Sequence, residues 1–497
     1  MNETTRHMLK GLAACAIALC LPVFSAADDT ASLRAEIERQ KTQLDQEMVR
    51  LQERMDALQE LERRVSALEA AQPAVTGSEE AGPQPAPGGT PAVPTMTAAA
   101  PATAATDEPA AAIGNLRDYD RPLTGQDLVD DDFPKSWPLF GSDYRMAFGG
   151  YVKLDYLQDF DGTGDRFQFV TASIPVEGSP AAGVAGYMNA FARETRFSFE
   201  VRKTTPGAPP QKYFVEMDFF QESAGAFNQF PRLRHAYFVY GNFLAGRTWG
   251  ILTDTRAFPT LIDFAAGDAL AGTRAAQLRW EQRMSGGLKW TTGLQMQEFP
   301  GIENAFDQPG RPSQLLPVLE GRIEREWGSS FLMLGGGLGQ LRWDGRGEGP
   351  DATATQWAVA LSGRFALGAR DSVVLNSSYG HGSGNGVAAF VGQGASAVLT
   401  PSGTLDTMPA WSIAVGYGHL FTDSLSSNIH FAWAEVEPSE FRAPGSVKEG
   451  SATHVNLLWS ITPKLTTGIE FMYGRRTNTD DQSGTARRLQ LMTKYGF

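Results

Sequence analysis

The chain has 497 residues, a formal net charge of −13 and 53 glycines, and its length alone would suit several soluble domains. Beyond the extreme N-terminus no apolar run is long enough for a transmembrane helix, which excludes a helical membrane protein of several spans. The composition, with 10% aromatic residues, fits a soluble all-β protein or a membrane β-barrel, whose alternating strands escape hydropathy analysis.

The acidic charge is concentrated in the N-terminal quarter of the chain. From Phe133 onward, 32 basic residues nearly balance 34 acidic residues, and 24 of the basic residues are arginine. Arginine suits fixed, hydrogen-bonded contacts with carboxylate or phosphate groups. The overall acidity therefore carries no information about the C-terminal region, and we expect no nucleic-acid partner.

Residues 1–27 have the features of a secretory signal peptide. A basic start is followed by an apolar segment at residues 11–24 and by small residues for cleavage at Ser25-Ala26-Ala27. A lipoprotein box around Cys15 is a weaker alternative, because the apolar run continues beyond it. Cleavage near Ala27 would also remove Cys20 and leave the mature protein without thiols, which excludes disulfides and cysteine-based metal sites.

Residues 28–72 are predicted to form a periplasmic coiled coil. Leu44, Met48, Leu51, Met55 and Leu58 alternate spacings of four and three, as a coiled-coil seam does. A lone amphipathic helix is the alternative, but such a helix is poorly stable in water without a packing partner. Residues 31–70 therefore favour self-association, and they offer a surface for the cell wall or a periplasmic partner.

Residues 73–132 are rich in proline and alanine and have little to bury. This composition predicts an extended, disordered linker between the coiled coil and the region that follows.

Residues 133–497 show short alternating runs separated by turn residues. Phe197, Phe199 and Val201 alternate with Arg196 and Glu200, for example, and similar runs continue to the C-terminus. Charged inner faces would be costly in a dry sandwich core but not around a water-filled lumen. The pattern predicts an all-β fold, a transmembrane antiparallel barrel of about sixteen strands, which is wide enough for an aqueous channel.

The last predicted strand ends at the C-terminus with Tyr495 and Phe497 on one face. Such a terminal aromatic pattern resembles the signal that the barrel assembly machinery of Gram-negative bacteria reads. With the signal peptide, it places the protein in the outer membrane, among outer-membrane lipid and lipopolysaccharide.

The whole arrangement resembles the DcaP-like trimeric porins of the outer membrane. The resemblance is carried by the layout and by local stretches such as residues 148–155 (FGGYVKLD), 232–237 (RLRHAY) and 246–249 (GRTW). It implies a homotrimer with periplasmic N-terminal helices. It also implies uptake of small anionic solutes, notably dicarboxylates and aromatic acids.

Apart from Arg196 in the second predicted strand, the candidate residues for the substrate path lie from the fourth to the sixth predicted strand. There the stretch Ile251–Gly272 lacks alternation, and general porins fold such a loop into the lumen. A basic ring at such a constriction favours anions. The alternative is that the arginines only neutralise lumen acids such as Glu216 and Asp218, or contact lipopolysaccharide outside the barrel. The candidate path residues are Arg196, Arg232, Arg234, Arg247, Asp254, Arg256, Asp263, Arg274 and Arg279.

Three functions remain open from the sequence. The first is a channel that prefers anionic solutes, the second is a non-selective porin, and the third is an envelope tether that uses its periplasmic coiled coil. The six histidines have no metal-ligand spacing and no G-x-S-x-G nucleophile elbow occurs. We therefore expect neither a metal site, nor a cofactor, nor an enzyme.

Overall fold

The computed structural model describes residues 122–140, 142–162, 164–182, 185–222, 229–265, 268–298 and 300–497. The predicted signal peptide, the coiled coil and residues 73–121 of the linker lie outside these described residues. Within the described ranges, one short helix, α1 (Gly125–Asp130), precedes 22 strands. No helix in this part of the chain is both long and apolar enough to cross a membrane.

The strands follow one another in chain order along the described region. They are β1 (Trp137–Pro138), β2 (Arg145–Asp161), β3 (Met188–Phe191), β4 (Arg196–Lys203), β5 (Gln211–Glu222), β6 (Gln229–Tyr240), β7 (Phe243–Trp249), β8 (Arg274–Arg283), β9 (Leu288–Gln295), β10 (Ile302–Glu303), β11 (Arg311–Ser313), β12 (Val318–Trp327), β13 (Ser330–Asp344), β14 (Ala352–Leu367), β15 (Asp371–His381), β16 (Ala397–Leu399), β17 (Leu405–Thr407), β18 (Pro409–Leu420), β19 (Leu425–Val436), β20 (Val447–Ser460), β21 (Leu465–Asn478) and β22 (Ser483–Gly496).

Nineteen of these strands form one antiparallel sheet that closes on itself. Closure occurs because β2 pairs with β22 on one side and with β3 and β4 on the other. β3 and β4 pair with successive parts of β2, while β11 and β12 pair with successive parts of β13. With β1 as a two-residue addition to β2, the described residues make a closed antiparallel barrel of sixteen strands, which confirms the predicted fold class.

Side chains alternate between the two faces of the barrel wall. In β21, Ile469, Phe471 and Tyr473 are 40–43% exposed on the outer face, whereas Glu470 between them is fully buried inside. An outward apolar row opposite an inward polar row is the pattern of a wall with an apolar exterior and a polar lumen. Short turns join the strands at the end that carries the C-terminus. Following the barrel rule, we place this end towards the periplasm and the longer loops outside the cell.

Part of the extracellular lumen is packed with apolar side chains. The loop between β15 and β18 contributes Val387, Phe390 and Val398, all at most 4% exposed. These residues pack on small inward residues of β18 and β19, such as Ala414 and Ala432. Because alanine leaves room for the loop, this side of the lumen becomes a dry core. The open space is therefore displaced towards the other strands.

Candidate functional site: the lumen constriction

The segment Ile251–Thr273, between β7 and β8, lies inside the barrel. We name it the constriction loop; its residues 266 and 267 are not among those described. Arg322 of β12 donates to the carbonyls of Ile251 and Thr253, both at 3.2 Å. Asn376 of β15 donates to the carbonyl of Ala257 at 2.6 Å. The loop therefore leaves its own strands and crosses the lumen towards the opposite wall.

The far part of the constriction loop is held by polar side chains of β2, β20 and β21. The Glu470 carboxylate accepts hydrogen bonds from the backbone N–H groups of Ile262 at 2.8 Å and Asp263 at 3.1 Å. Asn456 donates to the carbonyl of Thr260 at 2.8 Å, and Lys153 donates to that of Ile262 at 2.8 Å. Buried backbone groups need such partners, so the polar inner rows make an internal loop feasible.

A glycine run in β13 gives the constriction loop room at its base. A Cβ added to Gly335 would lie 2.7 Å from the Cδ2 of Leu252, and one added to Gly337 would lie 3.7 Å from its Cδ1. Such close approach of a loop is a usual reason for glycine within a strand. Here the glycines seat the apolar side chain of Leu252 against the wall.

Arg232 and Arg234 both face the lumen because β6 contains a bulge. Glu216 of β5 pairs with His235, whereas the adjacent Met217 pairs with Leu233, so Arg234 is an extra residue. A bulge shifts the inward row by one position. Phe238 and Tyr240 are also even-numbered, and without a bulge they would point to the same face as the two arginines. Because of the bulge, the arginines point inward while Phe238 and Tyr240 are 42% and 54% exposed on the outer face.

The arginines of this wall are paired with acids. Arg232 binds Asp218 through two hydrogen bonds of 2.9 and 2.7 Å. Arg234 binds Glu216 at 2.6 Å and Asp218 at 3.1 Å, and Arg196 lies 3.9 Å from Glu216. The structure thus brings three predicted arginines together, and it shows that charge neutralisation is part of their role.

An aromatic pair lies beside these arginines. Phe264 of the constriction loop stacks near Phe220 of β5, with ring centroids 4.2 Å apart. The guanidinium of Arg232 is 5.3 Å from the centroid of Phe220 and 5.4 Å from that of Phe264. The Arg196 and Arg234 guanidinium groups are 5.9 and 5.6 Å from Phe264. Neither phenylalanine was predicted, because no local motif reveals what a loop will meet across a barrel.

A second network joins the base of the constriction loop to β12. Arg256 bonds to Asp254 at 2.6 Å and to Glu324 at 3.1 Å, and it also pairs with Glu326. Burial disfavours the charge of Asp254, but the neighbouring Arg256 outweighs it and lowers the pKa of Asp254 below its ordinary value. Arg279 belongs to a separate pair with Glu281 at 2.7 Å. Asp254 and Arg256 therefore stiffen the loop base.

Arg247 and Arg274 do not join the lumen cluster. Arg247 lies in register with Ala236 and Ala276, on the outward row of the wall, and it pairs with Glu298. β7 shows no register shift of the kind that turns Arg234 inward, and a role of Arg247 in the substrate path stays a prediction. Arg274 stacks on Trp249 at the loop base, with its guanidinium 4.6 Å from the ring centroid.

Asp263 and the neighbouring Asp268 connect the constriction loop to the extracellular loop after β2. Asp263 accepts a hydrogen bond from the N–H of Phe169 at 2.9 Å, and Asp268 accepts one from the N–H of Thr171 at 2.7 Å. Burial raises the pKa of Asp263, and it raises that of Asp268 to about 6. These buried carboxylates connect the two loops through hydrogen bonds, and they are not exposed along a solute path.

Residues 122–133 enter the barrel from its periplasmic end; we name them the lumen segment. Leu128 of α1 is fully buried among residues of β5, β6 and β7. Asp131 pairs with Arg202 at 2.7 Å, and Thr124 donates to Glu281 at 2.8 Å. The end of the predicted linker is thus an ordered part of the lumen, since Asp127, Asp131 and Leu128 find complementary partners there.

The sequence matches the family model "DcaP outer membrane protein" over residues 133–497. The chain belongs to this family. Its fold resembles the crystal structure of the outer membrane channel DcaP of Acinetobacter baumannii, with a TM-score of 0.62 and 17% identity over 76% of this chain and 100% of that chain. A search of curated proteins found no match.

More distant likeness extends to further outer-membrane proteins. OmpT of Vibrio cholerae has a TM-score of 0.46 at 12% identity, covering 72% of this chain and 99% of that chain. An anion-selective porin from Comamonas acidovorans has a TM-score of 0.46 at 11% identity, covering 71% and 100%. Family and fold together make this protein an outer-membrane β-barrel of the DcaP family.

The C-terminal aromatic residues of this DcaP-family protein lie on the outer face. Phe497 stacks on Phe148 and packs at a tilt on Phe197, with centroid distances of 5.9 and 6.0 Å. Tyr495 is 50% exposed in the same outward row. A role for Tyr495 and Phe497 in barrel assembly stays a prediction, and these contacts show what they do after folding: they cover the seam between β22 and β2.

Proposed function

We propose that this outer-membrane channel prefers small anionic solutes, in particular dicarboxylates and aromatic acids, and carries them to the periplasm. The observation that supports this most is the exposure of charges at the β5–β6 wall. The Arg232 side chain is 30% exposed, whereas its partner Asp218 is fully buried and Glu216 is 6% exposed. A solute in the lumen would therefore meet the guanidinium rather than the carboxylates behind it.

The aromatic pair beside Arg232 supports aromatic acids as one solute class. A guanidinium binds a carboxylate through charge-assisted hydrogen bonds, and a phenyl ring offers a flat apolar surface for an aromatic ring. Both features lie side by side here, because the guanidinium of Arg232 is 5.3 Å from the ring centroid of Phe220 and 5.4 Å from that of Phe264. Because Arg232 is already held by Asp218, a solute would bind weakly enough to leave, which a channel requires.

The proposed assembly is a homotrimer in outer-membrane lipid and lipopolysaccharide, with the coiled coil in the periplasm. It is supported by membership of the family and by the heptad pattern of residues 31–70. We propose that the barrel assembly machinery inserts it. Deleting residues 28–112 tests the tether alternative, since a tether predicts an envelope defect while the conductance stays intact.

The deciding experiment is a planar-bilayer measurement on the purified protein. We expect conductance steps in triplets, a reversal potential of anion-selective sign in a KCl gradient, and current blockade by a small aromatic dicarboxylate. Arg232→Gln should weaken the blockade. Arg346→Gln, at an exposed arginine of an extracellular turn, is the matched control and should leave it unchanged. Unselective current without blockade would leave a general porin.

A further inference from the structure

A cavity of about 260 Å³ lies between the constriction loop and the periplasmic turns. Phe258, Pro259 and Thr260 of the loop form one boundary, and turn residues such as Ser329 and Leu420 form the other. The lumen segment lies against other strands, β5 to β9. A solute that has passed the loop would therefore meet this cavity on its way to the periplasm.

Arg364 lines this cavity from the inward row of β14. Its register partners are Phe331 and Val374, which are 3% and 7% exposed and also point inward. Unlike Arg232, Arg234 or Arg256, Arg364 makes no ion pair or hydrogen bond through its side chain within the described part of the chain. All of its N–H donors are therefore available to a solute.

The surroundings explain why Arg364 stays unpaired. In the inward row of strand β12, Glu326 pairs in register with Phe331 and is bound by Arg256. The ring of Phe331 therefore stands between Arg364 and that acid. Asp371, at the edge of the cavity, is held by the Tyr417 hydroxyl and lies 2.7 Å from the Nδ1 of His419.

Other polar groups also line the cavity: serine hydroxyls can donate to a carboxylate, whereas the amide of Asn428 donates to Asn456 and presents its oxygen, which suits a solute hydroxyl. Ser372, Ser426 and Asn428 line it from the inward rows of β15 and β19. Gly418 lies between them, and a Cβ at this position would come within 2.8 Å of the Asn428 Oδ1 and 3.4 Å of the Ser372 Oγ. The missing side chain therefore keeps open the space in front of these groups.

We propose that Arg364, with Ser372, forms a second anion site on the periplasmic side of the constriction, which binds the carboxylate group of a solute about to leave the channel. The site rests on the proposed function for its solute class, but it consists of residues outside the constriction cluster. With cationic sites at Arg232 and then at Arg364, an anion could move from one site to the next, as conduction through a multi-site channel requires.

The test compares Arg364→Gln and Arg364→Lys with the control Arg325→Gln in planar bilayers at low salt. Arg325 is an exposed arginine of the outward row of β12, near the same end of the barrel. A small aromatic dicarboxylate is added to each side in turn, and the blockade constant is measured. A charge at about 4 Å in water is worth roughly 1 kcal/mol, so Arg364→Gln should weaken periplasmic-side blockade about five-fold. Arg364→Lys should keep most of it.

The outcomes separate this site from the proposed function. If Arg364→Gln matches Arg325→Gln in blockade and reversal potential, the second site is refuted even when the wild-type channel prefers anions. If the wild-type channel shows no anion preference, the proposed function fails. A shift of the reversal potential towards cations in Arg364→Gln alone would then still support an anion site at Arg364.

Discussion

Glu470 should act as the anchor that keeps the constriction loop across the lumen, and Glu470→Ala tests this. Both of its carboxylate oxygens accept backbone hydrogen bonds, from Ile262 and Asp263, while Asn456 donates to it at 2.9 Å. Glu470 is fully buried, so water does not replace the lost acceptor without rearrangement. This makes the substitution a local test of how the loop is held.

The expected magnitude follows from the two orphaned N–H groups. A buried donor that loses its partner costs about 1–3 kcal/mol, so the loop tip should lose roughly 2–6 kcal/mol of local stability. Mobile loops open locally at a free-energy cost close to zero, well below the cost of global unfolding. A loss of roughly 2–6 kcal/mol would therefore remove most of the free energy that keeps the loop tip closed. The variant should therefore open its constriction loop much more often.

The assays are hydrogen exchange of the loop amides and single-channel recording. Glu470→Ala should speed exchange at Ile262 and Asp263 by at least ten-fold, because about 1.4 kcal/mol corresponds to a factor of ten. It should also give larger and noisier currents. Glu440→Ala, at an exposed position of an extracellular loop, is the control. Exchange and conductance equal to the control would refute the anchoring role.

Three further predictions concern charge, the lumen segment and pH. Asp218→Asn should move the reversal potential towards anions, because Arg232 loses its buried counter-charge; an unchanged potential would contradict it. Leu128→Ala should raise conductance by loosening the lumen segment, at a cost of about 2–5 kcal/mol, whereas Val129→Ala, at a 46% exposed position, should not. Asp268 has a pKa raised by burial to about 6, above its unfolded value, so its stabilising contribution is present below about pH 4 and is lost as the pH rises through 6. Asp268→Asn should therefore increase thermal stability at pH 7.5 but not at pH 4, and an equal shift at both would contradict the assignment.

The barrel strands could be predicted because alternation is a local property. Phe197 and Phe199 alternate with charged residues in the sequence, and β4 has this pattern in the barrel. A closed wall with an apolar exterior and a polar interior requires this alternation in every strand. The fold class and the number of strands were therefore within reach of the sequence.

The composition of the site was harder to predict because it depends on contacts across the lumen. Strict alternation along β6 would put Arg234 on the same face as Phe238, which is the outer face. The bulge turns Arg234 inward, and the bulge is visible only in the pairing of β6 with Glu216 and Met217 of β5. The contact of Phe264 with Phe220 joins residues on different elements. Arg364 was missed because it is a single arginine in an ordinary strand, and only the absence of a partner distinguishes it.

The apolar packing beside β18 and β19 has an electrical consequence for the channel. The resistance of a water-filled cylinder depends on its cross-section, and strand number alone would assign this barrel a wide one. Because Phe390 and Val398 fill one side of the lumen with a dry core, ions are confined to an eccentric path along the charged strands. On the extracellular side of the constriction loop, the current should therefore depend on substitutions in β5 and β6 far more than on equal substitutions in β18 and β19.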